Sequence, residues 1–396
     1  MQQSKTKERN CAGWDISGAK YKMGLRQAQQ RPEEKVIQQL KGLYERYGYK
    51  KYKMSKFEEY SLYAENREFL AGDKIITFTD LDGRLMALKP DVTLSIIKNS
   101  NISDTSPEKT YYVENVYRES RESHTFKEIN QMGLEYIGAL DTYGITEVLA
   151  LAAETLAAVD GDYILEISHM DYVVELLENI GIKENLKFEL LKLIRAKNTD
   201  GITRALKDAG LTDRQKEAVC ALPGLYGDIY ETIKKAEEYV VTDLMQDALT
   251  ELKEVCKGLE TSGAAAKVQV DFSIVNDIDY YNGMIFNGYI KDLAGCVLAG
   301  GQYDGALKQM GKNGRAIGFA LYLNDISRLS SERTEYDVDA VILYDKNESV
   351  SDIADAVRRL QGNGMSVFAA TKEPGGIRSR YVYELNRGKL SEKEVK

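Results

Sequence analysis

The chain has 396 residues, 53 Lys+Arg against 62 Asp+Glu and a net charge of −9, with 43% hydrophobic and 29% charged residues. That balance suits a globular protein of two or three domains and argues against a non-specific nucleic-acid coat. Four scattered cysteines, Cys11, Cys220, Cys256 and Cys296, form no CxxC pair, and two histidines, His124 and His169, leave a His/Cys metal cluster almost nothing to build from. Apolar runs are broken by charge before the ~20 residues of a membrane span, and the polar start MQQSKTKERNCAGWD lacks a signal-peptide core. The expectation is a cytoplasmic protein with no metal and no cofactor.

In chain order, residues 1–31 lack periodicity and read as a partly ordered leader. A helix starts at Pro32, a residue suited to the first turn; Val36, Leu40, Leu43, Tyr44 and Tyr47 form one stripe and Gly48 follows as a cap. KIITFTDLDGRLMALKP places Asp82-Gly83 between two strand-like runs, a hairpin signal. KTYYVENVYRES and TFKEINQMGLEYIG read as two further strands joined by the polar stretch 119–125, and residues 145–159 as a helix. Residues 172–262 change texture to a helical block, broken at Gly181, Gly210 and Pro223-Gly224. Strand signals return in KVQVDFSIVND, YYNGMIFNGYI and GCVLAGGQYDG, and RAIGFALYLNDISRL is expected to close this part as a helix. The order strands, helices, strands predicts an α+β domain, residues 32–171 and 263–332, with a helical insertion. The tail, 336–396, offers one strand–helix–strand unit, with no structure assigned beyond residue 374.

A few segments carry chemistry. In LKPDVT, Pro90 stops a regular strand, so Asp91 and Thr93 either enter a cleft or make a capped turn. Arg118 lies within a strand-like run, where a charge needs solvent, a partner or an anionic ligand. Gln131 and Glu135 are four apart, so strand periodicity puts both on the face of Gly133; such a pair either receives an amine and an imidazole or is a solvated face. In IDYYNG, Tyr280 and Tyr281 would point to opposite faces if extended, with one lining a pocket. GGQYDG suggests close backbone approach around Tyr303-Asp304. No phosphate loop and no Ser-His-Asp or Cys-His arrangement is present.

Taken in order, these segments resemble the catalytic domain of class II histidyl-tRNA synthetases. LKPDVT resembles that family's Arg-Pro-Glu-x-Thr element, VYRESRESHTFKEINQMGLEYIG its motif 2, NDIDYYNG its histidine motif, GGQYDG its Gly-Gly-Arg-Tyr-Asp and AIGFALYLNDISRL its motif 3 helix. The resemblance spans about residues 32–330 and implies a six-stranded antiparallel sheet flanked by helices, usually in a dimer. It also implies that Asp91, Thr93, Arg118, Gln131, Glu135, Tyr280 and Tyr281 contact histidine.

The departures fall on the nucleotide side. Asn276 stands at the arginine of the histidine motif and Asp325 at the arginine of motif 3. Tyr322 replaces the glycine against which adenine packs, Asn324 and Ser120 replace glutamates, and Ser55 a proline. Losing one fixed charge of this sort costs on the order of 10²–10³ in rate, and a carboxylate at Asp325 repels a triphosphate. The 61 residues from Tyr336 fall short of the roughly 100 of a complete anticodon-binding domain, and ten Lys/Arg against ten Asp/Glu there make no basic face for tRNA. A synthetase-like chain of this kind resembles the regulatory subunits of ATP phosphoribosyltransferase. That resemblance implies a non-catalytic subunit, self-dimerising within a hetero-oligomer, needed by a short-form catalytic subunit for the first step of histidine biosynthesis. L-histidine is then the expected feedback effector. Two alternatives are a divergent histidyl-tRNA synthetase and a synthetase-like histidine sensor for another partner.

Overall fold

The computed structural model describes residues 32–70, 74–102, 106–120, 123–275, 280–326 and 336–393, in two compact units, one within Pro32–Ser331 and the other within Glu332–Lys396. The leader expected over 1–31 lies outside the described residues.

In the larger unit, α1 (Pro32–Arg46) carries Glu33 and Glu34 in its first turn, where the helix dipole favours negative charge. It buries Val36, Leu40, Leu43 and Tyr44, and Gly48 follows with φ of +83°. After β1 (Lys50–Lys51), β2 (Phe57–Glu59) and α2 (Tyr60–Ala64) come β3 (Thr77–Thr79) and β4 (Leu85–Leu88). β2 and β3 pair antiparallel with β4 in a small sheet, and Gly83 turns the β3–β4 hairpin at φ of +79°. α3 (Thr93–Asn99) precedes the long pair β5 (Glu108–Glu119) and β6 (Phe126–Gly138), in register from Glu108↔Ile137 to Glu119↔Phe126.

α4 (Thr142–Val159) is N-capped by Asp141, which accepts from the Gly144 N–H at 2.8 Å. It is the one described helix long and apolar enough to cross a membrane, and it is mostly buried within the fold. β7 (Tyr163–His169) leads into the helical block α5 (Met170–Asn179), α6 (Glu184–Arg195), α7 (Thr199–Ala205), α8 (Asp213–Ala221), α9 (Ile229–Glu237) and α10 (Asp243–Ser262). Gly181 and Gly210 break it with φ of +66° and +71°, and the two-residue β8 (Tyr226–Gly227) interrupts it between α8 and α9, unforeseen by the sequence. β9 (Val268–Asp271), β10 (Asn282–Ile290), β11 (Leu298–Gln302), α11 (Asp304–Gln309), β12 (Arg315–Tyr322) and α12 (Leu323–Ile326) complete the described part of the unit.

The main sheet has nine strands in the order β1-β5-β6-β12-β11-β10-β7-β9-β8. Its six central strands, β5 to β7, run antiparallel. β1 and β9 add parallel edges and β8 an antiparallel one. One sequence expectation is overturned: Arg315–Tyr322 is a strand between β6 and β11, and among the described residues of that segment Leu323–Ile326 alone is helical. A central strand with no charged side has nothing to set a period of two, so its apolar run resembles a helix. Alternation along β6 sends Met132, Leu134 and Tyr136 into the core with α1 and α4 residues, and leaves Gln131, Gly133 and Glu135 on the opposite face.

The smaller unit is a four-stranded sheet, order β14-β13-β15-β16, built from β13 (Val338–Tyr344), α13 (Val350–Gly362), β14 (Val367–Ala370), β15 (Ser379–Asn386) and β16 (Lys389–Glu392). β13 and β14 are parallel across the helix as expected, whereas β15 and β16 occupy the stretch left unassigned beyond residue 374. They close a hairpin at Arg387-Gly388, both at positive φ, and α13 packs Ala356 and Leu360 onto Ala340, Ile342 and Leu385.

Candidate functional site

A cavity of about 560 Å³ opens on the Gln131–Glu135 face of the main sheet. Period-two geometry supplies its floor: Gln131 and Glu135 from β6, Gly318, Ala320 and Tyr322 from β12, Ala299 from β11, and Ile285, Asn287 and Tyr289 from β10. The register puts Gly318 opposite Glu135, Ala320 opposite Gly133 and Tyr322 opposite Gln131. The missing side chain at Gly318 is required, because a Cβ there would lie 1.8 Å from the Glu135 Oε2.

All seven residues singled out from the sequence line this one cavity: Asp91, Thr93, Arg118, Gln131, Glu135, Tyr280 and Tyr281. Asp91 and Thr93 arrive at the start of α3, where the Asp91 Oδ1 accepts from the Leu94 N–H at 2.9 Å. Arg118 projects from β5, donating through Nε to the Pro90 carbonyl at 2.7 Å and pairing with Asp91 at 3.5 Å. Tyr280 and Tyr281 contradict the expectation of opposite faces. They precede β10, so strand alternation does not bind them, and both rings line the cavity, edge to face at 4.5 Å. Asn276, in the same motif, lies outside the described residues. Lys89 turns away to pair with Glu114 at 2.5 Å.

Glu135 sits deepest. It is 2% exposed; Oε1 accepts from the Thr93 hydroxyl at 2.8 Å and Oε2 from the Tyr303 hydroxyl at 2.5 Å. Burial pushes its carboxyl up to about 8, the two hydroxyl bonds pull the other way, and neighbouring Asp91 adds to the rise. Burial also raises Asp91, opposed by the Arg118 guanidinium and by backbone N–H groups of residues 92–94. The hydroxyls of Tyr112, Tyr280 and Tyr303 are held protonated, chiefly by burial.

Toward the other end the lining changes character. Tyr322 occupies the floor beside Gln131, and the Asn324 side chain accepts from the Asn130 N–H at 2.6 Å. Asp325 lies in α12. Arg67, which donates to the Tyr60 hydroxyl at 2.5 Å, and Arg195, the last residue of α6, also line the cavity. Sequence reading did not assign Tyr303, Gly318, Tyr112 or Arg195 to the site; for Tyr303 and Gly318 a signal existed in the glycine-flanked tyrosine of GGQYDG and in a glycine inside an apolar run.

The two histidines stand elsewhere: His124 is exposed at φ of +49°, and His169 bonds Glu251 at 3.0 Å through Nε2. Among the described residues no group of His, Cys, Asp or Glu could hold a metal ion. At the Glu135 end, the buried acids Asp91 and Glu135, the Arg118 guanidinium, the Gln131 amide and the rings of Tyr280, Tyr281 and Tyr303 offer a small ligand both charged and hydrogen-bonding partners.

Comparison with known proteins agrees with this fold. Residues 24–326 match the family model described as histidyl-tRNA synthetase. The ATP phosphoribosyltransferase regulatory subunit of Alkaliphilus metalliredigens is 26% identical over 351 residues, covering 86% of this chain and 88% of the relative. Among solved structures, an ATP phosphoribosyltransferase regulatory subunit/histidyl-tRNA synthetase from Bacillus halodurans superposes with a TM-score of 0.75 at 24% identity, over 88% of this chain and 93% of that one. An ATP phosphoribosyl transferase complex from Thermotoga maritima gives 0.57 at 20% identity, over 74% and 97%.

Proposed function

The chain belongs to the histidyl-tRNA synthetase family, and from that premise we propose that it is the regulatory subunit of an ATP phosphoribosyltransferase, in the first step of histidine biosynthesis. It performs no chemistry of its own. It assembles with a short catalytic subunit that joins the phosphoribosyl group of phosphoribosyl pyrophosphate to ATP, and it works in the cytoplasm. Histidine binds in the cavity at Glu135, with Asp91, Thr93, Arg118, Gln131, Tyr280 and Tyr281 around it. Coupling of 1–3 kcal/mol between this pocket and the partner's site gives ~5–150-fold control.

The observation that supports this reading is the unequal state of the two ends of the cavity. Every position that resembles an amino-acid contact keeps a polar or aromatic side chain turned inward. The positions that resemble nucleotide contacts carry Tyr322, Asn324 and Asp325 and hold no cation for a triphosphate; the arginines that do line this end, Arg67 and Arg195, stand outside those motif positions. Amino-acid activation is accordingly lost.

The experiment is phosphoribosyl transfer to ATP by the short catalytic subunit, alone and with this protein, with and without histidine. Activity that appears on mixing and falls with histidine supports the reading. A catalytic subunit that responds to another regulatory subunit but not to this one rejects it.

A further inference from the structure

Away from the Glu135 cavity, a groove of about 510 Å³ is formed by α5 and α10. Each helix gives it a row of acids: Asp171, Glu175 and Glu178 at i, i+4 and i+7 on α5, and Asp247 and Glu251 at i and i+4 on α10. Like charges at this spacing repel one another, and the cations nearby answer only part of the row. Lys187 takes Glu178 at 2.8 Å, and Arg315 approaches Glu251 at 3.4 Å while also facing Asp304 at 3.6 Å. Glu175 and Asp247 have no ion pair among the described residues. Val174, Leu244 and Ala248 add apolar surface among the acids.

The same groove is lined by a polar group that the fold leaves unanswered. His169 is 3% exposed, and its Nε2 bonds the Glu251 Oε2 at 3.0 Å. A carboxylate only accepts, so Nε2 carries the proton, and on the uncharged ring Nδ1 is a bare acceptor. That atom is buried and has no hydrogen-bond partner among the described residues, a costly state for a polar group. Asp171 supplies a second acceptor beside it. Its Oδ1 takes the Gly283 N–H at 3.2 Å, and its Oδ2 stands 4.0 Å from the His169 Nδ1. One nitrogen can reach two such acceptors at the ordinary ~2.9 Å of a hydrogen bond, and an ammonium brings three donors. No group of acids and histidines among the described residues could hold a metal ion, so the cation that fits is one that carries N–H groups.

We propose that this groove binds an aliphatic diamine or polyamine, with one ammonium at the His169 Nδ1 and Asp171 and a second one turn further on, at Glu175 and Asp247. Residues four apart on a helix are separated by ~6 Å along its axis, about the span of the two nitrogens in an extended four-carbon diamine. The methylenes between them lie on Val174, Leu244 and Ala248, as the stem of a lysine lies on apolar surface. Each ammonium then meets carboxylates in charge-assisted bonds, which are stronger than neutral ones. A single ammonium answers only one of the two points, so the groove selects for two charges at a fixed interval. The site is separate from the Glu135 cavity and does not depend on the function proposed for it.

The test is calorimetry of 1,4-diaminobutane binding to the full chain at about pH 8, above the ordinary imidazole range, in ~150 mM salt. Butylamine and Mg²⁺ serve as comparison ligands, and ¹⁵N NMR follows the imidazole nitrogens of the chain's two histidines, His124 and His169. Two double variants are compared with the wild type: Glu175→Gln/Asp247→Asn in the groove, and Glu189→Gln/Glu254→Gln, a pair of exposed acids outside it. The proposal expects one saturable site that holds the diamine about tenfold or more tighter than butylamine. It expects the His169 Nδ1 resonance to move on binding while those of His124 stay, and an affinity about tenfold lower in the groove variant but unchanged in the outside pair. Absence of saturable binding, equal affinity for butylamine, or displacement of the diamine by an equal concentration of Mg²⁺ would each overturn it. So would an outside pair that weakens binding as much as the groove pair, or a His169 Nδ1 resonance that stays put at saturation.

Discussion

The two ends of the cavity are built on the same two strands, β6 and β12, and yet they serve different purposes. At one end the register brings Glu135 against Gly318, and the absent side chain makes room for a buried carboxylate held by Thr93 and Tyr303. At the other end, Tyr322 rises beside Gln131 and Asn324 is engaged by the backbone of Asn130. On the function proposed above, the scaffold has given up one half of a two-ligand site and kept the other, since neighbouring side chains on a strand face are held by different partners. At the Glu135 end, Asp91, Thr93, Arg118, Glu135 and Tyr303 are bonded to one another or to the backbone.

The sharpest way to break this contrast is Gly318→Ala. A methyl group cannot share space with the Glu135 carboxylate, so histidine affinity should fall at least ~100-fold, and overpacking should cost ~1–3 kcal/mol of stability; calorimetry and thermal melts report the two separately. Next in size is Arg118→Ala, which leaves Asp91 buried beside Glu135 without its cation. Stability should drop by ~1–3 kcal/mol. Because the Asp91 carboxyl, already raised by burial, rises further in the variant, the deficit should be greater at pH 8 than at pH 5 in urea titrations.

Tyr303→Phe removes one of the two hydroxyls bonded to the Glu135 carboxyl. A histidine affinity about 5–20-fold weaker at pH 7 is expected. Glu135→Gln acts oppositely on the empty protein. The carboxyl is raised in the folded state, so its stabilising contribution is complete below the usual carboxylate range and is lost as pH climbs toward 8. The variant should match the wild type near pH 4.5 and exceed it by on the order of 1–3 kcal/mol at pH 8.5, read from melting curves across pH. The smallest effect is expected at the other end: Asn324→Ala should cost ~0.5–1 kcal/mol of stability and leave histidine affinity unchanged.

Much of the architecture was legible because local signals agreed with burial. The α1 stripe has one wet side and ends at Gly48, the Asp82-Gly83 turn marks its hairpin, and β5 and β6 are set off by the polar stretch between them. The strand β12 was misread as helix for the converse reason: it is a central strand between β6 and β11, apolar on its core face and carrying Gly318, Ala320 and Tyr322 on its cavity face, so no charged side sets a period of two. β15 and β16 went unassigned because a short, mixed-charge hairpin leaves most of its residues exposed or half-buried and buries few, such as Val382 and Leu385. In the site, alternation correctly put Gln131 and Glu135 on one face with Gly133, and motif order gathered Asp91, Thr93 and Arg118 beside them. The opposite-face expectation for Tyr280 and Tyr281 failed since it assumed an extended backbone before β10 begins. Tyr303 and Arg195 belong to segments distant from Glu135 in sequence, and only the tertiary fold brings them to the cavity.

The most direct test of the account compares the two ends in one sample: histidine binding by calorimetry together with histidine-dependent ATP–pyrophosphate exchange on the isolated protein. The account predicts saturable histidine binding with no exchange. Exchange stimulated by histidine would contradict it, because it would mean that a working nucleotide end persists beside Tyr322 and Asp325.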